Sequence, residues 1–207
     1  MSDLLIPVQS EKLYEGICDL GEEFTITAVV PEDELGVFQL IEQADRLGVK
    51  ARMANTCERP AVLLTRDRSI VHSEGYRLRI GKESIEVRGS TGAGTFYGVQ
   101  TLIELMRLEG RHLQCREIED WPELSRRGVY HDCSRGKVPT VATVKRLVEW
   151  LAHWKINELQ LYIENVFTFA KHPEIGKGFS PFSPEDLLEI QEHCKRHYVR
   201  FVPSLAS

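Results

Sequence analysis

The sequence contains no long apolar run and no basic leader, and each absence excludes a class of protein. No stretch approaches the roughly 18 consecutive apolar residues of a membrane span. The N-terminal segment Met1–Pro7 has neither a basic start nor an extended apolar core, so it is unlike a secretory signal peptide. We therefore expect no membrane partner and a cytoplasmic location.

Neither the cysteines nor the basic residues are grouped as a metal site or a nucleic-acid surface would require. The five cysteines are scattered, odd in number and lack the paired spacing of a zinc site or a disulfide framework. Reduced thiols, no cofactor and no metal are expected. The net charge is −5 at pH 7 and lysine and arginine are not clustered, which argues against a nucleic-acid partner.

The first part of the chain, residues 1–120, mixes strand and helix patterns. Tyr76–Ile80 and Ser84–Arg88 alternate around a short Gly-containing segment, which predicts a hairpin. The acidic segment that begins at Pro31 predicts the first turn of a helix, and a second helix is expected from about Thr95 to Gly110. Together these elements predict a small α+β sandwich domain with mostly antiparallel strands and helices on one sheet face. The predicted buried residues of the first helix are Leu35, Phe38, Ile41 and Leu47.

The second part, residues 121–207, alternates strands and helices. A short strand ends at Asp132, and an amphipathic helix spans Thr140 to Trp154. A second strand spans Ile156 to Ile163, a helix begins at Ser183 with a capping signature, and a third strand spans Val199 to Leu205. This order is typical of the start of a TIM barrel.

A complete barrel of this type needs roughly 250 residues, whereas the second part has room for about three strands and two helices. The fold class expected is therefore α/β and α+β: a small N-terminal α+β domain followed by an incomplete TIM barrel. We interpret the chain as the N-terminal piece of a longer enzyme.

Two motifs in the first part imitate functional sites. Gly92-Ala-Gly94-Thr-Phe-Tyr-Gly98 resembles a dinucleotide fingerprint, but its spacing is wrong by one residue and a hairpin precedes it. Tight packing of a helix on the sheet explains these glycines better. The acid pair Asp33-Glu34 is of a type that glycosidases use, but its place in the first turn of a helix favours a structural role.

Two clusters in the second part could suggest a metal site or a nucleophile. His193 and His197 lie four apart on a helix, a spacing that can hold zinc, but no acid or third histidine is near in sequence. An exposed helix face is the simpler interpretation. His131, Asp132 and Cys133 are adjacent on a strand, so their side chains point to opposite faces and cannot converge on one atom.

Four polar residues lie at or just past the ends of the first two barrel strands: Asp132, Arg135, Glu164 and Asn165. Active sites of this fold are built at that edge of the barrel. Arginine presents a rigid fork of donors that can hold hydroxyls or carboxylates. A structural ion pair between Asp132 and Arg135 remains the alternative.

These residues belong to an ordered set of motifs. Arg127-Gly-x-x-x-Asp132-x-Ser-Arg135 is followed by Lys155-Ile-Asn157 and by a strand that ends in Leu161-Tyr-Ile-Glu-Asn165. The set resembles glycoside hydrolase family 20, the β-N-acetylhexosaminidases. The upstream Gly-Thr-Phe-Tyr-Gly-Val-Gln-Thr-Leu and Ile-Glu-Asp-Trp-Pro segments look like the end of that family's N-terminal α+β domain. The resemblance covers roughly residues 75–207.

The resemblance implies a substrate, a mechanism and roles for particular residues. The expected substrates are glycosides of N-acetylglucosamine or N-acetylgalactosamine. The substrate's own acetamido oxygen would attack the anomeric carbon, one carboxylate would orient the acetamido group, and a glutamic acid would protonate the leaving oxygen. Arg135 matches the arginine that binds hydroxyls of the terminal sugar. Asn165 stands where the family usually has aspartate, and Glu164 beside it would share that work.

The same resemblance implies that no catalytic residue lies in this chain. The family's Asp-Glu pair follows the fourth barrel strand, and its site histidine follows the third. The 207-residue chain is therefore expected to be inactive alone and to self-associate through its open barrel edge. The alternatives are a related hydrolase of the glucuronidase or O-GlcNAc-hydrolase type, or a non-catalytic carbohydrate-binding or assembly module.

Overall fold

The computed structural model describes residues 4–54 and 60–205. Contacts divide the chain into two compact units, Met1–Glu123 and Leu124–Ser207. In the described ranges no helix is both long enough and apolar enough to cross a bilayer. The fold combines α+β and α/β organisation, as the sequence predicts.

Unit 1 is built on a seven-stranded sheet in the order β1-β7-β5-β6-β4-β2-β3. Its strands are β1 (Ser10–Asp19), β2 (Glu23–Ala28), β3 (Lys50–Met53), β4 (Ala61–Arg66), β5 (Tyr76–Ile80), β6 (Ser84–Gly89) and β7 (His112–Asp120). Its helices are a short 3-10 turn at Pro31–Asp33, α1 (Glu34–Arg46) and α2 (Gly92–Glu109).

The sheet of unit 1 is mixed, so the prediction of mostly antiparallel strands is wrong. The β5–β6 hairpin is confirmed, and β7 adds to it in antiparallel fashion. However, β4 runs parallel to both β6 and β2, and β2 runs parallel to β3. The parallel β2–β3 pair is connected through α1, because parallel neighbours need a crossover connection.

Helix α1 buries a different face from the predicted one. The buried stripe contains Val37, Leu40 and Ala44, whereas Phe38 is 56% exposed. A Cβ added to Gly36 would contact Val99 of α2 at 3.4 Å, so the face of α1 that carries Gly36 lies against α2.

Helix α2 packs tightly on the sheet, which confirms the structural interpretation of its glycines. It begins at Gly92, three residues earlier than predicted, and the side chain of Thr91 caps its first turn. A Cβ added to Gly94 would lie 2.2 Å from the carbonyl oxygen of Gly75. A Cβ added to Gly98 would lie 2.5 Å from Val87. The close approach of helix and sheet therefore requires glycine at both positions.

Asp33, the first acid of the pair at the start of α1, has a structural role in unit 1. Both carboxylate oxygens of Asp33 accept hydrogen bonds from the guanidinium of Arg66, at 2.8 and 2.9 Å. Burial raises the pKa of Asp33, and the hydrogen bond from Arg66 opposes that rise. Arg66 also donates to the hydroxyl of Thr95 at 2.5 Å. Arg66 therefore links the end of β4 to the start of α1 through Asp33 and to α2 through Thr95.

Unit 2 is a βαβαβ arrangement around a parallel three-stranded sheet in the order β10-β9-β8. Its elements are β8 (Gly128–Asp132), α3 (Val141–His153), β9 (Glu158–Ile163), α4 (Pro184–Arg196) and β10 (Arg200–Leu205). Strands β8 and β9 are each followed by a helix that returns the chain to the start of the next parallel strand. This is the repeating unit from which strand-and-helix barrels are built.

Local sequence signals set the helices of unit 2. Ser183 and Asp186 form a capping box at the start of α4: each side chain bonds the other's backbone N–H, at 3.1 and 2.8 Å. Thr140 caps α3 in a similar way. The central strand β9 buries alternate residues Leu159, Leu161 and Ile163. Its other face, which carries Tyr162, is more open.

Candidate functional site

The candidate site lies at one edge of the parallel sheet of unit 2. Strands β8 and β9 are parallel neighbours, and Asp132 at the end of β8 is in register with Tyr162 of β9. Residues that follow the two strands therefore emerge at the same edge. In open and closed α/β sheets, this carboxyl edge is where ligand-binding side chains collect.

Arg135 and Glu164 meet at this edge, a contact that the sequence analysis did not predict. The two terminal nitrogens of Arg135 lie 3.2 and 3.3 Å from the two carboxylate oxygens of Glu164, so the contact is two-pronged. The Arg135 side chain is 69% exposed and that of Glu164 is 34% exposed. A pair so open to solvent contributes little to stability, which leaves its polar groups available to a ligand.

Two tyrosines that the sequence analysis did not identify complete the edge. The hydroxyl of Tyr162 donates a hydrogen bond of 2.9 Å to Glu164, and this contact raises the pKa of Tyr162. The ring of Tyr130 stacks on Tyr162 with centroids 5.8 Å apart. Strand alternation could have revealed both residues, because Tyr130 and Tyr162 share the sheet face of Asp132 and Glu164, two positions along their strands.

Asp132 holds the turn that carries Arg135. One of its oxygens accepts hydrogen bonds from the backbone N–H of Ser134 at 2.8 Å and from the Ser134 hydroxyl at 2.7 Å. These bonds hold the pKa of Asp132 below its usual value, and the charge of Arg135 acts in the same direction. The Nε atom of Arg135 lies 3.8 Å from a carboxylate oxygen of Asp132, a longer distance than the 3.2 Å between Arg135 and Glu164. The carboxylate of Asp132 therefore orders the loop and is a poor proton donor at neutral pH.

Asn165 is positioned by the loop that follows β9, and it does not join the Arg135–Glu164 pair. No hydrogen bond links its side chain to either residue in the described part of the chain. Its backbone carbonyl faces Gly176, where an added Cβ would lie only 2.3 Å away. Gly176 has a φ of +78°, a conformation that glycine adopts at little cost. The prediction that Asn165 binds substrate stays a prediction.

The neighbouring His131-Asp132-Cys133 segment does not converge on one atom. Cys133 is fully buried, while Asp132 points to the exposed edge. Burial raises the pKa of the Cys133 thiol to about 11, so at neutral pH the sulfur is a neutral thiol. A thiolate nucleophile is thereby excluded at this position.

The chemistry available at this edge is hydrogen bonding to a polar ligand. Arg135 offers a fork of N–H donors, and Glu164 offers two acceptor oxygens beside it. Stacked tyrosine rings give an apolar wall of the kind that sugars pack against. A donor fork next to a carboxylate suits neighbouring hydroxyl groups, each of which both donates and accepts.

A second ion pair on the same strands lies at the opposite edge. Arg126 donates to both carboxylate oxygens of Glu158 over distances of 2.8 to 3.0 Å. This pair joins the segment before β8 to the first residue of β9. In strand-and-helix barrels that edge stabilises the fold and does not bind substrate. The Arg126–Glu158 pair therefore has the same chemistry as Arg135–Glu164 but lies at the edge that stabilises the fold.

Comparison with protein families gives a match over more than half of the chain. Residues 7–121 match the family described as glycosyl hydrolase family 20, domain 2. The β-hexosaminidase B of Pseudoalteromonas piscicida is 24% identical over 165 residues, which is 64% of this chain and 21% of that protein. The β-hexosaminidase subunit beta of Entamoeba histolytica is 31% identical over 112 residues, 50% of this chain and 20% of that protein. The chain thus spans about a fifth of these relatives.

Solved structures share the fold along nearly the whole chain. The exo-β-N-acetylglucosaminidase of Vibrio harveyi superposes with a TM-score of 0.82 over 97% of this chain and 35% of its own, at 18% identity. The β-N-acetylhexosaminidase of Streptomyces coelicolor superposes with a TM-score of 0.78 over 95% of this chain and 44% of its own, at 22% identity. At such identities the likeness shows a common fold.

Proposed function

Because this chain belongs to glycosyl hydrolase family 20, we propose that it is part of a β-N-acetylhexosaminidase and supplies one wall of its sugar site. In this proposal the enzyme removes terminal β-linked N-acetylhexosamine from glycans. Unit 1 is the α+β domain, and unit 2 provides the opening strands of the catalytic barrel.

The observation that carries this proposal is the Arg135–Glu164 pair at the carboxyl edge of parallel strands. Its position fits a sugar site of a barrel enzyme. Its 3.2 and 3.3 Å contacts fix the guanidinium plane relative to the carboxylate. In the proposed complex Arg135 donates to hydroxyls of the terminal sugar, Glu164 accepts from them, and Asn165 contributes from the adjoining loop.

The chain provides binding groups, and the proposal assigns proton transfer to another part of the enzyme. A general acid needs a carboxyl whose pKa is raised toward the working pH. At this edge the pKa of Asp132 is instead lowered by Ser134. The Asp-Glu pair that acts in substrate-assisted cleavage is expected after a fourth barrel strand, whereas unit 2 has three described strands.

The proposal predicts that hydrolysis depends on more of the barrel than these strands. The purified 207-residue chain is expected to be inactive toward a fluorogenic N-acetyl-β-glucosaminide. The product of the same gene read to its stop codon is expected to cleave that substrate. The measurement is the rate of fluorophore release at equal molar concentration of the two proteins, with N-acetyl-β-galactosaminide and β-glucuronide substrates in parallel.

Each outcome of this comparison of activities distinguishes between the candidate functions. Hydrolysis by the 207-residue chain itself would overturn the assignment of the acid pair to later strands. A longer product that cleaves only the glucuronide would identify the related two-domain hydrolases. Inactivity of both proteins, combined with retained binding of N-acetylglucosamine, would favour a carbohydrate-binding module.

The parallel sheet of unit 2 has two open edges in the isolated chain. In the described part of unit 2, β8 and β10 each have one strand neighbour. The open face carries Tyr130, which is 57% exposed. Unpaired strand edges and exposed apolar faces favour association between copies. We therefore expect the 207-residue chain to self-associate through this sheet.

The variant Tyr130→Lys is expected to shift the chain toward the monomer, because it adds a charge to the open face. Light scattering coupled to size-exclusion chromatography over a range of concentrations measures the shift. Leu188→Lys is the matched control, since Leu188 is 62% exposed on α4 and lies outside the sheet. A monomer at all concentrations in the unmodified chain, with cooperative unfolding, would contradict the expectation.

A further inference from the structure

Helices α3 and α4 place three side chains with metal-ligating atoms in one cluster. His193 and His197 come from α4, and Glu149 comes from α3. One ligand atom from each of the three lies within 4.8 Å of those of the other two. The Nε2 atom of His193 is 3.2 Å from a carboxylate oxygen of Glu149. Within the described ranges this is the one group of its kind.

The sequence-based interpretation of these histidines as an exposed helix face is wrong. His197 is 5% exposed, and the side chain of His193 is 14% exposed. The acid that sequence proximity could not supply comes from the preceding helix. The cluster forms only where α3 packs against α4, so no local sequence motif predicts it.

The backbone fixes the orientation of the His197 ring. Its Nδ1 lies 2.8 Å from the carbonyl oxygen of His193. A carbonyl can only accept, so Nδ1 carries the proton and Nε2 keeps a free lone pair. Histidines that bind metals are commonly held in this way, with the second ring nitrogen donating to a carbonyl or carboxylate.

The Nε2 atom of His193 is buried and has no hydrogen-bond partner among the described residues. The nearby Glu149 oxygen meets the distance for an ion pair, yet the contact lacks hydrogen-bond geometry. A buried polar atom without a partner is rare in folded proteins, and a bound ion is one of the explanations for it.

We propose that Glu149, His193 and His197 bind a divalent transition-metal ion, zinc in the first place, between α3 and α4. Two imidazoles and one carboxylate form a ligand set that suits zinc, whereas calcium and magnesium prefer oxygen ligands. Tetrahedral zinc with bonds of about 2.0–2.1 Å separates its ligand atoms by about 3.3–3.5 Å. The 3.2 Å approach of His193 to Glu149 fits this spacing. The side chain of Glu149 is 48% exposed, so solvent reaches the cluster from this side.

The ion would act as a structural clip. His197 lies at the end of α4, just before β10, so the cluster is near the amino edge of the sheet and away from Arg135 and Glu164. In strand-and-helix folds that edge serves stability. A bound ion would hold α3 against α4 and raise the resistance of unit 2 to unfolding.

The test is metal binding by the purified chain after removal of metal with a chelator. Zinc content after equilibrium dialysis and the visible spectrum with cobalt are the two readouts. We expect one bound equivalent and the absorption of tetrahedral cobalt with nitrogen and oxygen ligands. Cobalt–thiolate charge-transfer bands would show instead that a cysteine holds the metal, and would overturn the proposal.

Two variants and one control assign the site. Glu149→Gln and His193→Gln are expected to weaken zinc binding about 100-fold or more, since each removes a direct ligand. His172→Gln is the matched control, because His172 lies beside Glu174 in an exposed pair on the loop and should leave binding unchanged. Circular dichroism of the metal-free variants checks their fold. Zinc binding that is equal in all four proteins, or absent from the unmodified chain, would refute the site.

Discussion

Replacement of Arg135 by lysine in the proposed β-N-acetylhexosaminidase, expressed from the whole gene, is expected to lower kcat/KM for an N-acetyl-β-glucosaminide by about 10- to 100-fold. Hydrogen bonds to a charged group contribute about 1.5–3 kcal/mol, and each 1.4 kcal/mol is a factor of ten. Lysine keeps the positive charge but loses the planar fork that holds Glu164 through two contacts. A lower kcat/KM in this variant would therefore reflect the lost geometry of the guanidinium and not a change in net charge.

The structure supplies a matched control for this substitution. Arg126→Lys removes the same kind of fork from the same two strands, but at the opposite edge, where Arg126 holds Glu158. Its kcat/KM is expected to match that of the unmodified enzyme. Steady-state kinetics of both variants decide the matter, with thermal unfolding as a check on stability. Equal losses in the two variants would mean that Arg135 acts through the fold.

A sugar-binding role also predicts how the loss divides between the kinetic constants. If Arg135 holds the terminal sugar equally in the ground state and the transition state, KM rises while kcat stays close to its original value. If the contact strengthens as the ring distorts, kcat falls as well. Glu164→Gln keeps the shape of the acceptor but removes its charge, so it separates recognition of hydroxyls from support of the Arg135 guanidinium.

The sequence predicted those parts of the fold whose signals are local. The capping pattern at Ser183 gives the start of α4, because the cap and its partner lie within one helical turn. The β5–β6 hairpin follows from alternation around a tight turn. The match to family 20 confirms the resemblance that the ordered motifs indicated. Arg135 and Glu164 could be placed at the same edge because parallel strands end there, although their contact with each other was not predicted.

Exposure and non-local contacts account for what the sequence analysis missed. Strand β1 is exposed along much of its length, so it has no alternating pattern to reveal it. The face of α1 at Gly36 lies against Val99 of α2, and neither helix encodes that contact alone. The Glu149 partner of His193 comes from another helix, which spacing along α4 cannot show.

Replacement of Gly94 by alanine is expected to destabilise unit 1 by about 3 kcal/mol, at the upper end of the range for overpacking. The added Cβ would lie 2.2 Å from the carbonyl oxygen of Gly75, and that oxygen is held in place by hydrogen bonds from Ser90. Backbone must move, because no flexible side chain can yield. Urea unfolding measures the loss, and hydrogen exchange should localise it to α2 and its sheet.

Gly81→Ala is the control, since its Cβ would meet one atom at 3.4 Å. Its stability should stay within about 1 kcal/mol of the original. A similar small change for Gly94→Ala would show that helix and sheet can separate without cost.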